Sequence, residues 1–143
     1  MIVRHKLEQA YAVVGALVLV EDVSLGFTAL DGLPGPYIKW FVEYAGAEAC
    51  CRMLDGFDDR SATIYYTFGY YDGDHMEFFD SSLLGSISDR PRGKNGFGFD
   101  TFFIMKGYSV TRAELPQGEV EKTYAEQMKP FRKVREFLQG NLQ

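Results

Sequence analysis

Residues 17–22 read Leu-Val-Leu-Val-Glu-Asp, an apolar run that ends in two carboxylates. The four apolar positions leave no polar side chain for a solvent-exposed face, which is typical of a central strand covered by helices. Apolar residues recur at helical spacing on either side of this run, over residues 2–14 and 38–45. We therefore predict an α/β fold in which the run forms a buried strand and the acid pair terminates it.

Downstream segments predict further strands of the same sheet. Residues 61–71 are rich in Thr, Ile, Tyr and Phe, which favour strands. An Asp-Gly-Asp turn at 72–74 leads into a second strand at 75–79, so we expect an antiparallel hairpin. Another strand is predicted at 102–105.

The remaining segments predict helices. A short helix is expected at 47–54, and apolar residues recur at steps of three and four from 120 to 138. Pro130 lies inside this stripe and lacks a backbone donor, so we expect a break near Lys129. Together the patterns predict a single domain over residues 1–143, a mixed twisted sheet with flanking helices.

Composition limits the class of protein. Hydrophobic residues make up 46% and charged residues 24%, as in globular proteins. The formal net charge of -5 opposes binding of long nucleic acid. The run after Arg4-His5-Lys6 imitates a signal peptide, but an acid pair stands where a cleavage site belongs and the run is too short to span a membrane. We predict a soluble, cytoplasmic protein.

Cysteine and histidine do not indicate a metal or redox site. Cys50 and Cys51 are adjacent, a spacing that suits neither the usual disulfide nor a C-x-x-C motif. His5 and His75 have no second ligand at zinc spacing. We expect two reduced thiols at a helix end.

The acid pair Glu21-Asp22 is the first candidate site. Carboxylates beyond the end of a central strand lie where α/β sheets place their sites. Mg²⁺ is commonly held by one or two carboxylates together with substrate phosphate oxygens. Because successive strand residues point to opposite faces, only one of the two can face a given cleft. A solvated acidic turn is the alternative.

The second candidate is the stretch Phe97-Gly98-Phe99-Asp100, which follows a loop carrying Arg92 and Lys94. Two rings that flank a glycine can stack on a planar base, and Asp100 can accept hydrogen bonds from a base edge. The two basic side chains can meet phosphate. The alternative is a hydrophobic strand entry after an exposed basic turn.

Taken in order, these motifs resemble the inosine triphosphate pyrophosphatase family. The matching residues are 18–22, 27, 29–30, 32–41 (Gly-Leu-Pro-Gly-Pro-Tyr-Ile-Lys-Trp-Phe), 56–59 with 61–62, 91–93, 97–100, and Thr-Arg-Ala-Glu-Leu at 111–115. The resemblance implies hydrolysis of ITP, dITP or XTP to the monophosphate and pyrophosphate. It also implies Mg²⁺-assisted attack of water at the α-phosphorus.

The resemblance assigns roles to residues. Asp22 with Glu21 would bind the metal and activate water, and Phe97, Gly98, Phe99 and Asp100 would embrace the base. Lys122 would be the lysine beside the base. Arg92 is a further candidate substrate contact on its own chemistry, because its guanidinium can meet phosphate. Members of the family are generally dimers, so a homodimer or higher oligomer is expected, with helix 2–14 or exposed sheet at the contact.

Departures from the family pattern accompany these matches. The chain begins at the family's second helix, so its first strand, triphosphate-gripping loop and first helix are expected to be missing. The family's Ser-His-Arg purine reader falls near Glu126-Gln127-Met128, where none of the three residues occurs. Val23 and Thr101 stand where a hydroxyl residue and a proline are usual. The sequence therefore predicts an N-terminally shortened, divergent member.

Three functions stay open on these grounds. The first is a pyrophosphatase whose missing contacts come from a partner subunit or from Arg92, Lys94 or Lys129. The second is a non-catalytic nucleotide-binding or protein-interaction module on the same scaffold. The third is a relic that folds and does little.

Overall fold

A computed structural model describes residues 2–141. The helices and strands follow in the order α1 (Ile2–Val14), β1 (Val18–Phe27), β2 (Pro34–Gly35), α2 (Ile38–Trp40), α3 (Ala47–Arg52), β3 (Ser61–Tyr71), β4 (Met76–Ile87), β5 (Phe103–Met105), α4 (Gln117–Gln127) and α5 (Lys129–Asn141). Single turns of 3-10 helix cover Thr28–Leu30, Gly98–Thr101 and Arg112–Glu114.

The strands form one five-stranded sheet in the order β2-β1-β3-β4-β5. β2 pairs antiparallel with the end of β1, and β5 pairs antiparallel with the end of β4. The predicted α/β class is confirmed, and so are the hairpin and the strand at 61–71. Contacts divide the described chain into two compact units, one comprising the chain up to Val23, Tyr66–Ser81 and the chain from Gln127 onward, the other Ser24–Tyr65 and Ser82–Glu126.

In the first unit, two apolar clusters lie on β1 and its neighbours. Val3 and Leu7 of α1 pack with Val18 in one cluster. The second cluster joins Tyr66 and Phe68 of β3 to Val134 of α5, with Val23 of β1 at its edge. Residues of opposite parity in β1 thus pack against different helices. The prediction of a strand covered on both faces holds only in part. Leu17 lies before β1 and is 48% exposed, and Leu19 is 41% exposed, so the apolar run itself is not buried on both faces.

The prediction that the strand ends at the acid pair is wrong. β1 continues for five residues beyond Asp22, to Phe27. Leu25 and Phe27 are fully buried, so alternating apolar residues carry the strand onward past the carboxylates. The two charged residues end the apolar run in the sequence, but they do not end the strand. Successive side chains of a strand point to opposite faces, so only every second one needs an apolar surrounding.

Two predicted helix boundaries are confirmed in the structure. α4 ends at Gln127 and α5 begins at Lys129, and Pro130 is the second residue of α5, where a missing N–H breaks no helical bond. The helix predicted at 38–45 starts as α2 and widens over Phe41–Ala45 into a π-helical turn. Gly46, with φ +93, ends that turn.

In the second unit, Arg60 joins the end of α3 to the end of β4. Its Nη2 donates to the carbonyl oxygens of Cys51 at 2.9 Å and Ser88 at 2.7 Å, and its Nε donates to that of Ile87 at 3.0 Å. The guanidinium therefore satisfies three backbone acceptors at one point, with its side chain only 24% exposed.

Replacing Arg60 with Met should destabilise the protein by about 3 kcal/mol, because three carbonyls lose a charged donor at once. For a chain of this length the melting temperature should fall by about 10 °C. Arg52→Met is the matched control, since Arg52 is exposed. Thermal unfolding of both variants followed by circular dichroism checks this, and equal melting temperatures would contradict it.

Candidate functional site

Glu21 and Asp22 are neighbours in β1 that contact different elements of the first unit. The Asp22 carboxylate accepts a hydrogen bond from Lys6 of α1 at 2.9 Å. The Glu21 carboxylate accepts one from the Tyr66 hydroxyl of β3 at 2.5 Å. These partners belong to opposite faces of the strand, as strand alternation requires. The structure therefore does not bring the two carboxylates together at one point.

Asp22 is the acid with a cationic neighbour, and it is less exposed than Glu21. Its side chain is 20% exposed and pairs with the 45% exposed Lys6. Sequence reasoning missed Lys6, although it follows Val3 by three residues and precedes Ala10 by four, so it shares the apolar face of α1. A lysine at the border of the apolar face of a helix was the available signal.

Glu21 is held by a buried tyrosine. Burial and the bond to Glu21 both raise the pKa of Tyr66, so this hydroxyl stays a hydrogen-bond donor at any ordinary pH. Tyr66 is 2% exposed. The Glu21 carboxylate is thereby fixed on the face that α5 covers.

The stretch 97–100 belongs to the second unit and forms a compact turn. Asp100 closes this turn on itself, because its Oδ2 accepts the backbone N–H of Phe97 at 3.0 Å. Gly96 allows the approach: it has φ +75, and a Cβ there would lie 2.3 Å from Asp100 Oδ2. The sequence pattern Gly-Phe-Gly-Phe-Asp thus encodes a tight turn around one carboxylate.

Asp100 is buried and meets two side chains that the sequence motifs did not join to it. Arg112 Nη1 lies 3.4 Å from Oδ1, and the Tyr124 hydroxyl donates to Oδ2. Asp100 is 2% exposed and Arg112 is 1% exposed. Burial lowers the pKa of Arg112, while the Asp100 charge opposes that shift. Burial and Asp100 raise the pKa of Tyr124.

The two rings of the turn have different surroundings. Phe97 is 78% exposed and stacks on the Tyr124 ring, with centroids 5.7 Å apart and planes 18° apart. Phe99 packs edge-on against Phe103, with centroids 6.2 Å apart. Only the Phe97 ring is therefore broadly open to a ligand.

The predicted basic residues are engaged with acids of their own. Arg92 Nη2 lies 2.5 Å from Asp89. Lys122, on α4, donates to Glu119 at 2.9 Å, and that bond raises its pKa. Lys122 is 73% exposed, so its ammonium remains accessible.

The described residues contain no preformed metal cluster, exposed thiol or membrane-spanning helix. Within residues 2–141 no three His, Cys, Asp or Glu side chains converge in a way that could hold a metal ion. Cys50 and Cys51 are free and fully buried, and burial raises the pKa of Cys51 to about 11. Over the same residues, no helix combines the length and apolar character needed to cross a membrane.

Solved structures of Ham1 proteins share the fold of this chain. The chain superposes on the Ham1 protein of Staphylococcus aureus with a TM-score of 0.78 at 24% identity, covering 95% of this chain and 73% of that one. A HAM1 protein from Coxiella burnetii gives a TM-score of 0.81 at 23% identity, covering 95% and 74%.

The chain belongs to the Ham1 family, whose model matches residues 1–137. A relative from Batrachochytrium dendrobatidis, named inosine triphosphate pyrophosphatase, is 41% identical over 95% of this chain and 71% of its own length. One of the same name from Schizosaccharomyces pombe is 37% identical over 97% of this chain and 74% of its own length. The family resemblance predicted from the motifs is confirmed.

Proposed function

We propose that this protein hydrolyses deaminated purine nucleoside triphosphates, such as ITP, dITP and XTP, to the monophosphate and pyrophosphate. The observation that carries this is the match to relatives named inosine triphosphate pyrophosphatase over nearly the whole chain. That match spans both the acid pair on β1 and the Phe97–Asp100 turn. It supports a hydrolase of the same class, in which those two places supply the water-activating acid and the base contact.

Mg²⁺ is the proposed metal, and Asp22 is its proposed protein ligand. The donor chemistry fits, because Mg²⁺ takes one or two carboxylates and completes its shell with water and substrate phosphate. Glu21, on the other face of β1, stays a prediction as a second ligand.

The roles of the chain's own residues follow from these positions. Asp22 would orient or deprotonate the water that attacks the α-phosphorus. Phe97 would stack on the base, and Lys122 and Arg92 stay predicted contacts to the substrate. Bound Mg²⁺ would offset negative charge on the phosphate oxygens. Lys6 already shares the Asp22 carboxylate, so metal binding has to compete with its ammonium.

The test is pyrophosphate release from ITP, XTP and ATP, with and without Mg²⁺. We expect release from ITP and XTP that exceeds release from ATP and that EDTA removes. The matched control is Asp80→Asn, which alters an exposed strand aspartate of the same unit and should leave release unchanged. Absence of release from all three nucleotides would contradict the proposal.

A non-catalytic nucleotide-binding module is the second candidate. The observation in its favour is that both acids of β1 already have partners, Lys6 and Tyr66. A melting temperature that rises with IMP or ITP, without any pyrophosphate release, would select this function over the first.

A homodimer is also proposed. Aromatic side chains exposed on the second unit support it, because Tyr37, Trp40 and Tyr44 are 57%, 51% and 76% exposed. Sedimentation velocity at micromolar concentration should give about twice the 16.2 kDa mass of the chain. Tyr44→Ser should weaken association, whereas Tyr108→Ser, a control at an exposed tyrosine outside the sheet and the helices, should not. A stable monomer would contradict this prediction.

A cytoplasmic location is proposed on separate grounds. The two adjacent cysteines are both free, as expected where thiols are kept reduced. Cell fractionation with an antibody against the protein would test this, and recovery in a secreted fraction would contradict it.

A further inference from the structure

Both oxygens of the Asp100 carboxylate have hydrogen-bond partners inside the second unit. Oδ1 faces Arg112, while Oδ2 accepts from the Tyr124 hydroxyl and from the Phe97 N–H. The side chain is 3% exposed. Because the carboxylate is this deeply buried, a base edge that approached from solvent would not reach it.

The Asp100 carboxylate fixes the position of the exposed Phe97 ring through two hydrogen bonds. It holds the backbone N–H of Phe97, and it holds the hydroxyl of Tyr124, whose ring lies beneath that of Phe97. A shift of Asp100 would therefore displace both the Phe97 backbone and the Tyr124 ring against which the Phe97 ring stacks.

Arg112 contacts both Asp100 and Tyr124. Its guanidinium carbon lies 4.9 Å from the Tyr124 ring centroid and 5.7 Å from that of Phe103. It therefore contacts the acid that orients Tyr124 and also the face of the Tyr124 ring. Cation and ring attract each other in this arrangement, most strongly where water is excluded.

We propose that Asp100, Arg112 and Tyr124 are positioning residues for Phe97, so that a purine base is held by stacking on the Phe97 ring while Asp100 makes no contact with it. The part that concerns the base rests on the proposed function. Stacking on a ring tolerates any base, because every base has a π face. This part of the site therefore supplies affinity without discriminating hypoxanthine from adenine.

The first arm of the test needs no nucleotide. 4-Fluorophenylalanine at position 97 gives one ¹⁹F signal, which the Tyr124 ring current should displace from the free amino-acid position. Tyr124→Phe keeps the ring and loses the hydroxyl, and Arg112→Lys keeps the charge. Both should move or broaden the signal, whereas Tyr65→Phe, at an exposed tyrosine, should not.

An unmoved ¹⁹F signal in Tyr124→Phe would overturn the positioning role. This variant keeps nearly the whole buried volume, so it carries the test even where Arg112→Lys does not fold. Melting temperatures measured on the same samples separate a local change at Phe97 from loss of the fold.

The second arm measures nucleotides. Tyr124→Phe and Asp100→Asn should raise KM for inosine and adenosine triphosphates by one common factor of about tenfold, with kcat changed less than about twofold. A change in the inosine-to-adenosine ratio in Asp100→Asn would overturn the proposal, because it would show that the carboxylate contacts the base edge.

The two arms separate this inference from the proposed function. IMP should displace the ¹⁹F signal of the otherwise unchanged protein. If IMP leaves it in place and no pyrophosphate is released, the base site itself is refuted, and with it the stacking contact. If Tyr124→Phe still shifts the ¹⁹F signal in that case, the positioning of Phe97 by Tyr124 would be confirmed without a base site.

Discussion

Replacing Asp22 with Asn is expected to lower kcat/KM for ITP about a thousandfold. The amide keeps the shape of the side chain but cannot take a proton from water, and it is a poorer ligand for a hard cation. Loss of a general base typically removes about 10²–10⁴ of the rate. Initial rates of pyrophosphate release at several Mg²⁺ concentrations measure the effect.

The melting temperature of Asp22→Asn shows whether a loss of rate comes from the site or from loss of the fold. Asp22 pairs with a half-exposed lysine, and pairs of that kind contribute about 1 kcal/mol or less. The melting temperature of Asp22→Asn should therefore stay within about 4 °C of the parent value.

Glu21→Gln tests which of the two acids acts. Tyr66 holds Glu21 on the opposite face, so its loss should reduce the rate much less than loss of Asp22. If Glu21→Gln proved the more damaging change, Glu21 and not Asp22 would be the water-activating acid.

Local patterns predicted most of the secondary structure. The strand at 61–71 and the break before Pro130 were found because residue preference and backbone chemistry act over a few neighbours. The end of β1 was missed for the same reason. A pair of charges resembles a strand end locally, whereas Leu25 and Phe27 extend the strand through burial in the second unit.

The candidate site was predicted less completely, because its residues meet through tertiary contacts. The acid pair and the Phe97–Asp100 stretch are contiguous motifs and were found. Lys6 and Tyr66 contact the acids across 16 and 45 residues of chain, which no spacing rule reaches. The alternation rule nevertheless gave the correct geometry for the acids, since it required them to face opposite sides.

Arg112 illustrates the limit most clearly. In the sequence it is one residue of the Thr-Arg-Ala-Glu-Leu motif, and an arginine is normally expected at the surface. In the structure it is 1% exposed and pairs with Asp100. Buried charges require partners, so an acid at the end of an aromatic turn and an arginine twelve residues later form a pair that only the fold discloses.

Removal of Arg112 alone is expected to cost about 3–5 kcal/mol of unfolding free energy, because Arg112→Met leaves the Asp100 carboxylate buried without its counter-charge. Methionine fills much of the same volume, so loss of the charge and not of the packing is the costly part. The cation–ring contacts with Tyr124 and Phe103 are lost as well. Urea unfolding at neutral pH measures the change.

The double variant Asp100→Asn/Arg112→Met shows whether the unpaired charge causes that loss. Neutralising the acid removes the penalty, so the double variant should be more stable than Arg112→Met alone by about 1–3 kcal/mol. Tyr124 can still donate to the carbonyl oxygen of the introduced amide, so the turn keeps part of its hydrogen bonding. A double variant less stable than Arg112→Met would mean that packing around Arg112, and not its charge, holds this part of the fold together.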